Sequence, residues 1–100
     1  MVIRFFRARV HDVRQNAFRQ IFLETALPLV RSQNGLVSVS VGLPHETSPN
    51  EFAMVTVWRD LETLKNFTGD AWNRAVIHQD EEHLLKETHV HHYHSLDGDL

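Results

Sequence analysis

The sequence predicts an α+β domain of the split βαβ, ferredoxin-like kind: strand order β-α-β-β-α-β, a four-stranded antiparallel sheet, and both helices on one face. Three observations carry that expectation. Residues 2–10 and 36–43 alternate with the two-residue period of a strand. Residues 13–33, between them, place apolar side chains at spacings of three and four. Residues 52–58 form an apolar and β-branched run that hands its end directly to a second helical stretch.

Taken in order, VIRFFRARV is the first strand, with Ile3, Phe5, Arg7 and Arg9 on one face and Val2, Phe6, Ala8 and Val10 on the other. Asp12 is placed to cap the first helix, whose stripe is Ala17, Phe18, Ile21, Phe22, Ala26, Leu29 and Val30. Leu23 and Leu27 widen the stripe, and Pro28 should kink or loosen the helix. Asn34-Gly35 supplies a C-cap. In LVSVSVGL, Val37, Val39, Val41 and Leu43 point one way, and Leu36, Ser38, Ser40 and Gly42 the other. The loop PHETSPN leads to the strand Phe52 to Trp58, and Asp60 caps a helix with Leu61, Leu64 and Phe67 on its apolar side. Gly69-Asp70 interrupts that helix before a further turn bearing Trp72, Ala75 and Val76. A short turn, EEHLLK, precedes a final alternating strand at residues 87–96, and residues 97–100 read as a frayed tail after a single domain at 1–96.

One hundred residues suffice for one modest core, and 42% hydrophobic with 23% charged residues is ordinary for a globular chain. The absence of cysteine removes thiol chemistry, disulfides and Cys-based metal sites. A net charge of −3 argues against nucleic acid as a partner, and no apolar run approaches the roughly 20 residues of a membrane span. The start of the chain reads as a strand, not a signal peptide, so the expected location is the cytoplasm. A ferredoxin-like sheet leaves one face bare, here one that carries aromatic residues, and a second copy of the chain is the expected cover.

The helix ending ALPLVRSQNG, then LVSVSVGL, then EFAMVTVWRDLETLKNF, resembles the antibiotic biosynthesis monooxygenase family over nearly the whole chain. The resemblance implies a dimeric α/β barrel formed by two ferredoxin-like units packed sheet to sheet. It also implies one of several activities, among them cofactor-free oxygenation of phenols and quinols, and haem degradation. Trp58 matches the cavity-lining tryptophan of the cofactor-free oxygenases, whereas Met54 and Leu64 stand where they carry an asparagine and a tyrosine. Against the haem-degrading members, Phe67 replaces a tryptophan, Phe6 or Arg7 an asparagine, and His78 lies close to the position of the iron ligand.

Six of the eight histidines lie beyond residue 77. On the final strand His89, His91 and Tyr93 share one face, and Val90, His92 and His94 the other. Histidines two apart on a strand can ligate a metal ion, but they equally keep an exposed or interface strand polar. His83, before Leu84-Leu85, is placed to be drawn under that strand. An imidazole titrates near neutrality and suits general-base work on a phenolic or enolic substrate. The resulting expectation is an apolar pocket walled by Trp58, Phe67, Trp72 and Met54, with His83 or His92 as base and Tyr93 holding a substrate oxygen. No cofactor is required in that scheme, and the partners are a small-molecule substrate and a second copy. Arg4, Arg7 and Arg9 form a basic stripe that either pairs with Glu81 and Glu82 at the surface or clamps a carboxylate in the cavity. A haem- or metal-binding protein and a non-catalytic ligand-binding dimer are the rival readings.

Overall fold

The computed structural model describes residues 1–75 and 82–96. Its strands are β1 (Val2–Val10), β2 (Leu36–Gly42), β3 (Glu51–Trp58) and β4 (Leu85–His94). Between β1 and β2 lies a helical run composed of a 3-10 turn (Asp12–Arg14), α1 (Gln15–Ile21), a π turn (Phe22–Ala26) and α2 (Leu27–Arg31). Helix α3 (Leu61–Thr68) follows β3, and a 3-10 turn (Glu82–Leu84) precedes β4. The strands are antiparallel in the order β2-β3-β1-β4, which is the ferredoxin-like α+β arrangement.

Strand alternation assigns each side chain to a face. Phe52, Met54, Thr56 and Trp58 of β3 are buried under the helices, as are Arg4, Ala8 and Val10 of β1. The core centres on an aromatic cluster. Phe18 lies 5.3 Å from Phe22 and 4.9 Å from Phe52, and Phe22 is 5.7 Å from Phe52. Rings at such spacings add to stability beyond the area they bury.

Three local expectations are corrected. A bulge between Leu36 and Ser38 turns Leu36 to the helix side opposite Trp58, whereas Val37 is left 54% exposed. Leu36 therefore packs on the core with Val39 and Val41, not with the serines. Asp12 caps no helix: it begins the 3-10 turn, and its carboxylate accepts a hydrogen bond from Asn50 Nδ2. The turn expected beyond Gly69 is present at residues 70–73, and Val76 lies outside the described residues, as does the 97–100 tail. His83 is exposed on its 3-10 turn, because that turn directs Leu84 into the core instead.

The loosening expected at Pro28 takes a specific form. Leu27 N–H donates to the carbonyl of Phe22, five residues back, and the π turn ends there. Proline has no N–H to donate and its ring crowds the carbonyl four residues back, so a wider turn just ahead accommodates it. Asp60 caps α3 as its sequence position indicates, accepting from Thr63 N–H at 2.8 Å. Thr63 also meets Gly35, whose φ is +87°: a Cβ there would lie 2.4 Å from Thr63 Cβ. Gly35 thus supplies both a left-handed backbone and the close approach of α3 to the start of β2.

Candidate functional site

A cavity of about 120 Å³ lies between the helical run and the sheet. Its floor is Arg4 and Phe6 of β1 with Met54 and Thr56 of β3. Phe22, Thr25 and Ala26 of the π turn form one wall together with Leu29 and Val30 of α2, and Phe67 of α3 closes another side. π turns recur at functional sites because the extra residue widens the helix and re-aims its side chains. Here three of the five π-turn residues face the cavity.

The register of the sheet puts a polar row across an otherwise apolar floor. Arg4 is paired with Thr56 on one side and His92 on the other, so the three side chains share the helix face. The next row, Met54–Phe6–Val90, is apolar. Arg4 is only 5% exposed. Its Nη1 donates to the carbonyl of Trp72 at 2.6 Å and its Nη2 to the carbonyl of Arg74 at 2.8 Å. Nη1 also lies 3.0 Å from His92 Nε2. Burial pushes the guanidinium down to about 10.

That last contact fixes the state of His92. Arginine donates and never accepts, so Nε2 must offer its lone pair and the ring proton sits on Nδ1. Burial first, then the charge of Arg4, then His91, hold His92 below the ordinary imidazole value, which keeps it neutral. Trp72 packs edge-on against the His92 ring at 4.9 Å, and Lys65 Nζ lies 5.6 Å from the centre of the Trp72 ring.

Thr56 is oriented from behind. Trp58 Nε1 donates to Thr56 Oγ1 at 2.9 Å, both side chains being buried, so the threonine hydroxyl keeps its own proton to donate elsewhere. The Trp58 ring stacks on Phe67 at 5.4 Å.

Of the residues singled out from sequence, Met54 and Phe67 line the cavity. Trp58 stands one layer behind, supporting Phe67 and Thr56. Trp72 and His92 stand behind Arg4. Exposed His83 and Tyr93 are apart from this group, Tyr93 on the outer sheet face opposite Ile3 and 54% exposed. His89 and His91 share that outer face. Among the described residues no group of three potential metal ligands forms. The basic stripe divides, because Arg7 and Arg9 lie on the outer face, where Arg9 pairs with Glu87 at 3.1 Å, while Arg4 points to the helices. Glu81 and His78 lie outside the described residues. Sequence reasoning did not single out Thr56 or assign Arg4 to the core face; the signal available was a charge in the series Val2, Arg4, Phe6, Ala8, Val10.

Known proteins share this architecture. A candidate antibiotic biosynthesis monooxygenase from Deinococcus radiodurans superposes with a TM-score of 0.76 at 18% identity, covering 95% of this chain and 92% of that one. SnoaB, a cofactor-independent oxygenase from Streptomyces nogalater, gives 0.72 at 17% identity over 95% and 92% of the two chains. The Mycobacterium tuberculosis protein Rv0793 gives 0.72 at 19% identity over 96% and 95%. No curated protein sequence matches the chain. At these identities the superpositions speak for the fold. The sequence profile of the antibiotic biosynthesis monooxygenases goes further, matching residues 1–95, and by that match the chain belongs to the antibiotic biosynthesis monooxygenase family.

Proposed function

We propose that this protein is a cofactor-independent monooxygenase acting on a small phenolic or quinolic substrate held in the cavity above Arg4 and Thr56. The observation that carries the reading is the cavity itself: about 120 Å³, walled by Phe6, Phe22 and Phe67, with one cation at its floor. A dry cavity of roughly 150 Å³ takes up benzene, so this space suits one aromatic ring. Membership of the family and the likeness to a cofactor-independent oxygenase support the same reading.

The chemistry follows from what the walls can do. Aromatic side chains strip water from the ring, and fixed dipoles and charge replace that water. Once the substrate hydroxyl is ionised, electron density at the para carbon reduces O₂ directly, and a carbon–oxygen bond forms. The peroxide takes up one proton. The O–O bond then breaks, the hydrogen on that carbon leaves as a proton, and water and a quinone result. One oxygen atom enters the product and the other departs as water. His92 holds Arg4 through Nε2, so in this scheme it orients the cation and leaves the substrate proton to solvent.

Haem is the rival group, and the cavity does not fit it. A space for one ring does not hold a porphyrin, and His78, the candidate iron ligand, lies outside the described residues. Oxygen uptake tests the proposal. The protein, freed of metal by chelation, should consume O₂ with a single-ring phenol that bears hydrogen at the para carbon and form the para-quinone with one of its oxygen atoms drawn from O₂, and Ala26→Phe, which fills the cavity, should reduce the rate at least tenfold. Uptake that requires added haem or metal would overturn it.

A further inference from the structure

We infer that Arg4 and Thr56 form an oxyanion subsite at the cavity floor, so that the substrate is a phenol or enol taken up as its anion. The inference deepens the oxygenase reading and rests on it for the identity of the ligand, but it concerns binding and can be tested without turnover.

A guanidinium carries five N–H donors in one plane. Three of Arg4's are engaged, by the carbonyls of Trp72 and Arg74 and by His92 Nε2. Nε–H and one proton of Nη2 have no partner among the described residues. Guanidinium N–H groups left over in this way are strong donors to an oxygen anion. Thr56, directly opposite Arg4 in the sheet, brings a hydroxyl whose lone pair is already engaged by Trp58 Nε1. What remains on Thr56 is its O–H donor and a second lone pair, and an oxygen anion calls on the donor. Both residues line the cavity, and each is at least nine-tenths buried. The floor therefore offers donors and positive charge to an oxygen atom, and no carboxylate among the described lining residues competes for them.

The partners of Arg4 sharpen the case. Among the described residues its partners are backbone carbonyls and a neutral imidazole, which hold the guanidinium in place without cancelling its charge. A cation fixed by neutral acceptors in an apolar cavity keeps its field for whatever enters. A bound phenol can then lose its hydroxyl proton to bulk water, and the protein itself need not accept it.

The two alternatives predict opposite signs. An apolar cavity alone disfavours ions and raises the pKa of a bound phenol, whereas an adjacent cation lowers it. The probe is 4-nitrophenol, whose neutral and ionised forms absorb at different wavelengths and whose nitro group makes it a poor reductant. In the wild-type protein the bound probe should ionise at least one pH unit lower than the free probe, about a tenfold preference for the anion. Thr56→Val, which keeps the side-chain shape, should weaken that preference, and Arg4→Met should reverse it. Ala26→Phe should abolish binding, and Arg7→Gln with Arg9→Gln on the outer face should change nothing. Amide NMR spectra establish that each variant is folded; if Arg4→Met is not, the wild-type shift and Thr56→Val decide alone. An unshifted or raised pKa, or no binding at millimolar probe, overturns the inference. A lowered pKa with no phenol consuming O₂ sinks only the oxygenase reading, and O₂ uptake with a raised pKa sinks only the subsite.

Discussion

Arg4 shows how much a donor-only side chain dictates to its neighbours. Because it cannot accept a proton, His92 is a single tautomer, and because it is charged, His92 resists becoming so. His92 should accordingly titrate below 6.5, the ordinary value, when its ring protons are followed by NMR, and Arg4→Met should move the midpoint up, since one of the charges opposing protonation is gone. The linkage has a definite sign. A folded-state value below the unfolded one means that the unfolded chain binds the proton first, so stability is lost as pH falls from 6.5 through the folded-state value, and none is lost from this source above 6.5. Urea midpoints at pH 7 and pH 5 should therefore diverge more in the wild type than in His92→Gln. None of this was legible from the histidine pattern alone. The alternation of the last strand gives the face of His92 correctly, but the neighbour that governs it comes from β1 and is fixed only by register.

Elements carry their own constraints, and most were written in residue type. Pro28 announces a disturbed helix, and Asp60 announces the start of α3. Neither announces that the disturbance is a π turn, because that form depends on which carbonyls the surrounding packing leaves free. The bulge beside Leu36 is invisible for a related reason: a strand pattern read at strict period two has no place for an extra residue. Gly35 and Gly69 offer a controlled comparison. Both have positive φ, but a Cβ at Gly35 would collide with Thr63, whereas at Gly69 no described residue lies within 4 Å. Both alanine variants incur the backbone penalty, and Gly35→Ala should lose a further ~1–3 kcal/mol from overlap. Chemical denaturation of the two variants side by side checks this, and equal losses would show that α3 simply moves away.

At the scale of the molecule, the order β2-β3-β1-β4 leaves the face opposite the helices without cover among the described residues. Ile3 and Phe5 lie there beside Val55 and Val57, flanked by His89, His91 and Tyr93 on β4. Sequence alternation alone foretold the β1 and β4 sides of this surface, because strict period-two strands sort their side chains without reference to the rest of the fold. The cavity on the other face was less legible, since it depends on β1, the helical run, β3 and α3 meeting. We expect a homodimer through the bare face. Light scattering should give about twice 11.6 kDa, and Phe5→Asp should return the mass to that of one chain while far-UV circular dichroism stays unchanged. A wild-type monomer at micromolar concentration would refute the dimer and leave the fold untouched.

The two tryptophans occupy opposite situations, and that makes the protein its own optical instrument. Trp58 has no exposed surface and lies flat against Phe67, the far side of which faces the cavity. Trp72 is half-buried, beneath the ammonium group of Lys65. Iodide in solution reaches the second and not the first, so a quenched spectrum isolates a blue-shifted emission from Trp58 alone. Any ring that enters the cavity presses on Phe67 and, through it, on that emitter, so occupancy can be read from the chain's own light without label or substrate turnover.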